Sequence, residues 1–324
     1  MRTWTCLLLG VLFSGSLSAG DEFLRIKPQV DDTICLQVAV RNYAAGAQRD
    51  KTVQLVGVSH IGSPRYYKTL QTILDAADVV LFEGVDGDST AFREATKQKS
   101  PERSALQANL AQALGLVFQL HYIDYERENF INSDVTSMQL MDLFDGKEIE
   151  ESGPEAKAQM EQMLASMDQT SVSGQVAAQV LEFLELRPGL GKGMRWGMVR
   201  ILGSATGNFV EYPGLPEHLQ TMMKVLIESR NEIVMKDIHE QLDQLPAGAT
   251  VAVFYGAAHM PDFEVRLEQE LHAVFVSERW FTAFCGNLQT SGLNLLEKQS
   301  LRWFVGQQVQ ALKIISASSV KDEE

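Results

Sequence analysis

The feature that most constrains the fold is a set of short, nearly unbroken apolar runs separated by helical patterns. Residues 53–58 (VQLVGV), 79–82 (VVLF) and 250–255 (TVAVFY) are the clearest of these runs. Runs of this kind are typical of strands that are buried on both faces, as in parallel sheets covered by helices. Weaker strand patterns occur at residues 34–40, 130–133 and 273–276. The sequence therefore predicts an α/β fold with a central, largely parallel or mixed sheet.

Helical patterns fill the intervals between these runs. Apolar residues recur at helical spacing in residues 65–77, 102–120, 154–186, 216–245, 264–272 and 293–315. Because the strands bracket a mainly helical middle, we predict one α/β domain over residues 21–324 with a helical insertion at about 136–210. Residues 187–208 hold six glycines and predict an irregular connection, either an ordinary long loop or a hinge or lid over the site.

The first 20 residues have the pattern of a secretory signal peptide. Arg2 precedes a short apolar run at residues 6–13, and small residues follow at 14–20. An uncleaved N-terminal anchor is the alternative interpretation. No later stretch is apolar enough to cross a membrane. We therefore expect an exported protein, periplasmic or secreted, without a transmembrane segment in its mature chain.

Charge and cysteine content narrow the environment further. The formal net charge is −14, which disfavours binding to nucleic acid because phosphate backbones repel an acidic protein. Cys35 and Cys285 remain after removal of the signal peptide, and export permits a disulfide between them. The sequence alone leaves that pairing open.

Two matching motifs carry the chemistry that the sequence offers. Gly57-Val-Ser-His60 follows one strong strand, and Gly256-Ala-Ala-His259 follows another. We expect Gly57 and Gly256 to let the backbone turn sharply and to leave room above the strand end. Open α/β sheets bind ligands outside the carboxyl ends of their strands. Two imidazoles meeting there can hold a divalent metal or act as an acid–base pair, although either histidine alone is more often structural.

Glu83 comes directly after the apolar strand at residues 79–82 and precedes a glycine. An acid at the end of a fully apolar strand is costly to bury without a partner. Glu83 is therefore a candidate metal ligand or general base, with a capping role as the alternative.

Two further residues are weaker candidates. Arg230 lies on a helix that leads towards the second motif, where it can orient Glu83 or stabilise an oxyanion, or else form a surface ion pair. Asp134 follows a weak strand and precedes a helix, so it is expected to cap that helix, with a supporting role in the site left open. The chain has neither a His-Glu-x-x-His nor a Gly-x-Ser-x-Gly motif, which argues against a zincin and an α/β-hydrolase.

These motifs together resemble the TraB/GumN/Tiki superfamily. The matching stretches are residues 56–60 (VGVSH), 80–83 (VLFE), 229–231 (SRN) and 253–259 (VFYGAAH), with similar residues at 123–125 and 129–134. The resemblance implies an EreA/ChaN-like fold. In the Tiki branch, paired Gly-x-x-His motifs with a glutamate and an arginine are associated with metal-dependent peptidase activity. Those residues correspond here to His60, Glu83, Arg230 and His259, with Asn231 beside them.

The leading hypothesis is a metal-dependent hydrolase, of peptidase type, that acts on a peptide or small-molecule substrate. His60 and His259 would hold Zn, Mn or Co, Glu83 would be a ligand or accept a proton from water, and Arg230 would stabilise negative charge. Related branches include an erythromycin esterase, a haem-binding protein and a regulator of peptide pheromone production. The alternatives are therefore a non-catalytic peptide- or haem-binding protein and a metal-free His/Glu hydrolase.

Overall fold

The computed structural model describes residues 22–85, 105–144, 186–204 and 223–318. In these residues a seven-stranded mixed sheet is flanked by helices, which confirms the predicted α/β class. The expected signal peptide lies outside the described residues. So do residues 145–185 and 205–210 of the expected helical insertion.

The structure sets the bounds of each element. The strands are β1 (Leu24–Pro28), β2 (Thr33–Ala45), β3 (Lys51–Val58), β4 (Ile61–Gly62), β5 (Val79–Phe82), β6 (Val117–Phe118), β7 (Phe130–Asn132), β8 (Thr250–Gly256) and β9 (Val274–Asn287). The helices are α1 (Pro64–Leu74), α2 (Ala105–Ala113), α3 (Ser137–Phe144), α4 (Pro188–Leu202), α5 (Arg230–Gln244), α6 (Met260–Leu271) and α7 (Leu295–Ser318).

The sheet has a parallel part and an antiparallel part. Strands β3, β8, β5 and β7 lie side by side in that order, and each pairs with the next in parallel. Strand β2 joins them antiparallel to β3, and both β1 and β9 pair antiparallel with β2. Strands β4 and β6 form a separate two-stranded ladder beside the main sheet. The carboxyl ends of four parallel strands therefore meet at one edge.

Helices bury both faces of the sheet. Helix α1 packs on one face, where Leu70 and Leu74 are fully buried. This helix begins at Pro64, and the side chain of Ser63 accepts a hydrogen bond from the backbone N–H of Tyr66, as an N-cap does. Helices α5 and α6 pack on the opposite face with the apolar side chains of β3, β5 and β8. Burial on both faces explains why those strands are continuously apolar in sequence.

A disulfide connects Cys35 of β2 to Cys285 of β9, across directly paired positions of the two strands. The pairing that the sequence left open is thus present in the structure. No helix in the described part of the chain is long and apolar enough to cross a membrane.

Two sequence predictions about secondary structure were wrong in extent. The helix expected at residues 102–120 ends at Ala113, because Gly115 adopts a φ of 65° that a right-handed helix does not allow. The chain then continues into β6 and a 3₁₀ turn at Gln119–His121. Strand β1 was missed and β9 is far longer than expected, because β1 has no buried residue and most of β9 is exposed or half-buried, so neither has a strong apolar signal.

The described part of the glycine-rich segment, residues 187–204, is largely helical rather than irregular, since α4 spans Pro188–Leu202. Its glycines allow close packing. A Cβ at Gly191 would lie 2.2 Å from the backbone oxygen of Ala113, and one at Gly197 would lie 2.8 Å from a methyl group of Val305. The composition therefore reflects helix contacts with α2 and α7, and it predicted a loop because glycine lowers helix propensity.

Candidate functional site

The predicted site residues meet at the carboxyl edge of the parallel strands. His60 follows β3, His259 follows β8, Glu83 follows β5 and Asp134 follows β7. Because these four strands are neighbours in the sheet, residues far apart in sequence come together at one edge. Arg230 reaches the same edge from the first turn of α5.

Glu83 is the centre of this cluster. Its Oε1 accepts a hydrogen bond from Arg230 Nη2 at 3.0 Å, and its Oε2 accepts one from the backbone N–H of Gly256 at 2.8 Å. The Nε2 atom of His259 lies 3.7 Å from the same Oε1. One carboxylate thus contacts the second Gly-x-x-His motif and the arginine at once.

His60 follows β3, on the other side of β8 from Glu83, and is exposed to solvent. Its Nδ1 lies 2.9 Å from Oε1 of Gln119, and the backbone N–H of Gln119 donates to the carbonyl oxygen of His60 at 2.9 Å. The hydroxyl of Tyr67 donates to the carbonyl of Ser59 at 2.8 Å and holds the same turn. Solvent therefore reaches the cluster on the His60 side.

His259 is buried, with 6% of its surface exposed, in the 3₁₀ turn Ala257–His259 between β8 and α6. Its Nδ1 lies 2.7 Å from Oδ1 of Asn231. The Nδ2 atom of Asn231 donates to the carbonyl of His259 at 3.1 Å and to Asp262 Oδ2 at 2.8 Å. The expected supporting residue Asn231 is thus bonded directly to the second histidine.

The two glycines act through close approach and not through a sharp turn, which corrects the expectation from sequence. Gly57 lies within β3, and a Cβ there would meet the side chain of Val38 at 3.1 Å and the backbone of Ala39 at 3.2 Å. At Gly256 a Cβ would lie 3.2 Å from Nε2 of His60 and 3.3 Å from Oε2 of Glu83. Gly256 therefore leaves open the gap in which His60 and Glu83 face each other.

Arg230 is buried and forms no surface ion pair. Its Nε and Nη2 donate to the two carboxylate oxygens of Asp134 at 2.9 and 2.6 Å, and Nη1 donates to the carbonyl of Leu226 at 3.3 Å. A π-helical turn at Val225–Ser229 comes directly before it, and π-turns often occur at functional sites. Both Arg230 and its neighbour Asn231 are buried against the sheet edge.

Asp134 does not cap α3. The backbone N–H of Gln139 donates to the hydroxyl of Thr136, which caps that helix instead. The Asp134 carboxylate accepts hydrogen bonds from the backbone N–H groups of Gly84 and Val135 at 3.0 and 2.8 Å, in addition to those from Arg230. Its contacts therefore join β5 and β7 to the start of α5.

The pKa values of Glu83 and His259 are both lowered, for different physical reasons. Burial alone would raise the pKa of Glu83, but Arg230, the two histidines and the Gly256 N–H together hold it well below the usual range. Burial lowers the pKa of His259 to about 4, although Glu83 opposes that shift. At neutral pH the cluster therefore holds an anionic Glu83 beside a neutral His259.

The donor atoms fit a divalent ion in type but are not gathered as a finished metal site. Within the described ranges, no three His, Cys, Asp or Glu side chains are grouped closely enough to hold a metal. Each imidazole nevertheless contacts an amide oxygen through Nδ1 and turns Nε2 towards the carboxylate. Zn, Mn and Co bind imidazole nitrogens whose rings are held by such hydrogen bonds, and they also bind carboxylate oxygens.

Sequence reasoning missed Gln119 and its partner Tyr125. The amide Nε2 of Gln119 donates to the hydroxyl of Tyr125 at 2.8 Å, next to its contact with His60. Gln119 fell inside a segment that was expected to be helical, so no motif marked it. Gln119 comes beside His60 only when β4 and β6 pair, so the contact between the two residues cannot be predicted from local sequence.

An open groove of about 780 Å³ lies away from this cluster. Helix α1 supplies most of its walls, including Arg65, Lys68 and Thr72, and Gln54 and Arg279 of the sheet complete them. None of the motif residues lines this groove. The candidate site therefore rests on the geometry of the motif residues and not on the size of a cavity.

A scan of protein-family models, a search of curated proteins and a search of solved structures each find no match to this chain. The resemblance to the TraB/GumN/Tiki superfamily is thus a hypothesis that the motif residues alone support.

Proposed function

We propose that this chain is an extracytoplasmic hydrolase of the TraB/GumN/Tiki type that cleaves peptide-like bonds at the His60–Glu83–His259 cluster. One observation carries the proposal. Two imidazoles and one carboxylate converge from three strands at the carboxyl edge of the sheet, where His60 is exposed to solvent. Convergent titratable groups at the carboxyl edge of an α/β sheet are the usual setting of an active site.

The contacts favour one role for each residue. Glu83 has a strongly lowered pKa, so it is a weak base and serves better as an anionic ligand than as a proton acceptor. Arg230 uses Nε and Nη2 on carboxylates, so it holds Glu83 in place and does not face a substrate. This replaces the oxyanion role expected from sequence.

The metal in this proposal is a divalent ion held by His60, His259 and Glu83. When bound, such an ion lowers the pKa of its water towards neutrality and polarises the scissile carbonyl. The chain's own residues do the rest: Gly256 keeps the gap open, Arg230 and Asp134 fix the carboxylate, and exposed His60 meets the arriving substrate.

The test uses the mature protein in three forms: wild type, His60→Ala and His239→Ala. His239 is an exposed residue of α5 and serves as the matched control. We expect the wild type and the control to retain a divalent ion and to cleave members of a peptide library, and His60→Ala to lose cleavage by at least about 100-fold. Cleavage that survives both chelation and His60→Ala would reject the proposal. Stoichiometric capture of a peptide or haem without product would favour a binding protein.

A second candidate is a metal-free hydrolase in which a histidine acts as general base. The exposed ring of His60, close to the anionic Glu83, favours it. In that case His60 is the base, because its ring is exposed and imidazole is the usual base near neutral pH. Activity that is unchanged by chelator but abolished in His60→Ala would select this candidate over the metal-dependent one.

A further inference from the structure

Each histidine of the cluster is held at two points by one amide residue. Asn231 contacts both Nδ1 and the carbonyl oxygen of His259, at 2.7 and 3.1 Å. Gln119 contacts both Nδ1 and the carbonyl oxygen of His60, each at 2.9 Å. The two amide residues are buried, with exposures of 0% and 3%, so water does not compete for these hydrogen bonds. The side chain of Asn231 makes both of its contacts, whereas Gln119 uses its side chain for the ring and its backbone N–H for the carbonyl, so the shared feature is a buried amide oxygen on Nδ1.

The hydrogen-bond partners of Asn231 determine which way its amide faces. Its Nδ2 lies between two atoms that only accept, the carbonyl oxygen of His259 and a carboxylate oxygen of Asp262. Its Oδ1 therefore faces the ring, and an amide oxygen only accepts. It follows that Nδ1 of His259 carries the hydrogen, and that Nε2 of the neutral ring presents a lone pair 3.7 Å from Glu83.

Gln119 is oriented differently, through Tyr125. Its Nε2 faces the Tyr125 hydroxyl at 2.8 Å and donates to it; a phenol can donate as well as accept, so the side-chain placement sets this direction, and not the chemistry of the partner. The Oε1 of Gln119 then accepts from Nδ1 of His60. Nε2 of His60 is left with its lone pair in the gap above Gly256, opposite Glu83.

We propose that Gln119 and Asn231 are matched positioning residues that fix His60 and His259 as Nδ1–H tautomers and so aim both Nε2 lone pairs at Glu83. A free histidine side chain in water favours the opposite tautomer, with hydrogen on Nε2. Without the two amides, that hydrogen would occupy the place where a ligand or an abstracted proton must sit. This inference rests on the proposed function in one respect only, the use of the two lone pairs in hydrolysis.

Tautomers are measured directly by two-bond ¹H–¹⁵N correlation spectra of protein labelled with ¹⁵N-histidine. The sample is treated with chelator and held at about pH 8, above the ordinary histidine pKa of about 6.5. His60→Gln and His259→Gln assign the two rings. We expect the lone-pair nitrogen to be Nε2 in both rings of the wild type.

Variants then test each amide separately. Gln119→Leu should move only His60 towards the Nε2–H tautomer, and Asn231→Leu should move only His259. Gln119→Glu and Asn231→Asp keep an acceptor oxygen and should retain the wild-type tautomers. The exposed Gln307→Leu on α7 is the control and should change neither ring. Hydrolysis should fall roughly 10- to 100-fold in the two leucine variants.

The wild-type spectrum alone can contradict the proposal, so the test does not depend on every variant folding. A hydrogen on Nε2 of either ring, or folded leucine variants with unchanged tautomers, would show it to be wrong. Tautomers as expected in a protein that cleaves no substrate would instead reject the proposed function and leave the positioning roles intact.

Discussion

The two Gly-x-x-His segments share a sequence pattern but differ in burial. His60 is exposed and leads into the short strand β4, whereas His259 is buried in a 3₁₀ turn between Tyr255 and Phe263, with ring centroids 5.2 and 6.3 Å away. The cause is position in the sheet. Strand β8 lies between two parallel neighbours beneath α5 and α6, and β3 borders the antiparallel part.

This difference shows that the same Gly-x-x-His motif can place one histidine at the surface and another in the core. Both rings direct Nε2 towards Glu83, but only His60 can meet a substrate that arrives from solvent. His259 is tied into the core by aromatic packing and by Asn231. We therefore expect substitutions in the two segments to have similar effects on activity and different effects on stability.

The largest effect should come from Arg230→Met, which removes the cation paired with Glu83 and Asp134. The carboxylates of Glu83 and Asp134, 16% and 0% exposed, would lose their charged partner in a buried place. Breaking a buried ion pair on one side costs about 3–5 kcal/mol in the free energy of unfolding. Urea denaturation measures this loss. The control Arg127→Met removes an exposed ion pair with Asp75 and should cost less than about 1 kcal/mol.

The comparison of the segments is tested directly by His259→Ala and His60→Ala. His259→Ala removes a packed ring and leaves Asn231 Oδ1 without its donor, so it should cost about 2–4 kcal/mol. His60→Ala removes an exposed ring but also leaves the buried Gln119 Oε1 without its donor, so it should cost about 1 kcal/mol, less than His259→Ala. Both should abolish hydrolysis. Equal stabilities in denaturant would contradict the difference in burial seen here.

Acid should destabilise the His259 segment in particular. The unfolded chain protonates this histidine at the ordinary pKa of about 6.5, whereas burial lowers the pKa in the folded protein to about 4. Between these values the unfolded state binds more protons, so stability is complete above pH 6.5 and falls as the pH drops towards 4.

The loss from this group amounts to up to about 3 kcal/mol, and it is measured by denaturation of chelator-treated protein across that pH range. His259→Gln should show a slope smaller by about one proton. His239→Gln, which changes an exposed histidine, should keep the wild-type slope. An unchanged slope in His259→Gln would refute the buried neutral state.

The smallest expected effects are those of alanine substitutions at Gly57 and Gly256, which should differ in stability and in activity. Gly57→Ala places a methyl group against the backbone of Ala39 at 3.2 Å, which should cost about 1–2 kcal/mol of stability. Gly256→Ala instead places it between His60 and Glu83, whose side chains can shift, so it should cost less stability and more activity. Parallel unfolding and activity assays measure the pair. The reverse ranking would show that Gly256 is structural.

Much of the site was predictable because it lies on local patterns. Apolar runs placed β3, β5 and β8, and the residues that follow them supplied His60, Glu83 and His259. The prediction failed where a signal was weak or shared by two structures. Gln119 carried no motif, and the glycines of α4 suggested a loop because the same residue serves turns and close helix packing.

The sequence by itself determined the α/β class, the doubly buried strands and the two histidine motifs, because these depend on side-chain periodicity and on residues next to one another in the chain. Only the tertiary structure decided that Arg230 is buried against Glu83 and Asp134, that Cys35 meets Cys285, and that the two histidines differ in exposure. These facts depend on the order of strands in the sheet and on which helix covers each end. Contacts between residues far apart in the chain, here 96 positions or more, leave no periodic trace in a single sequence.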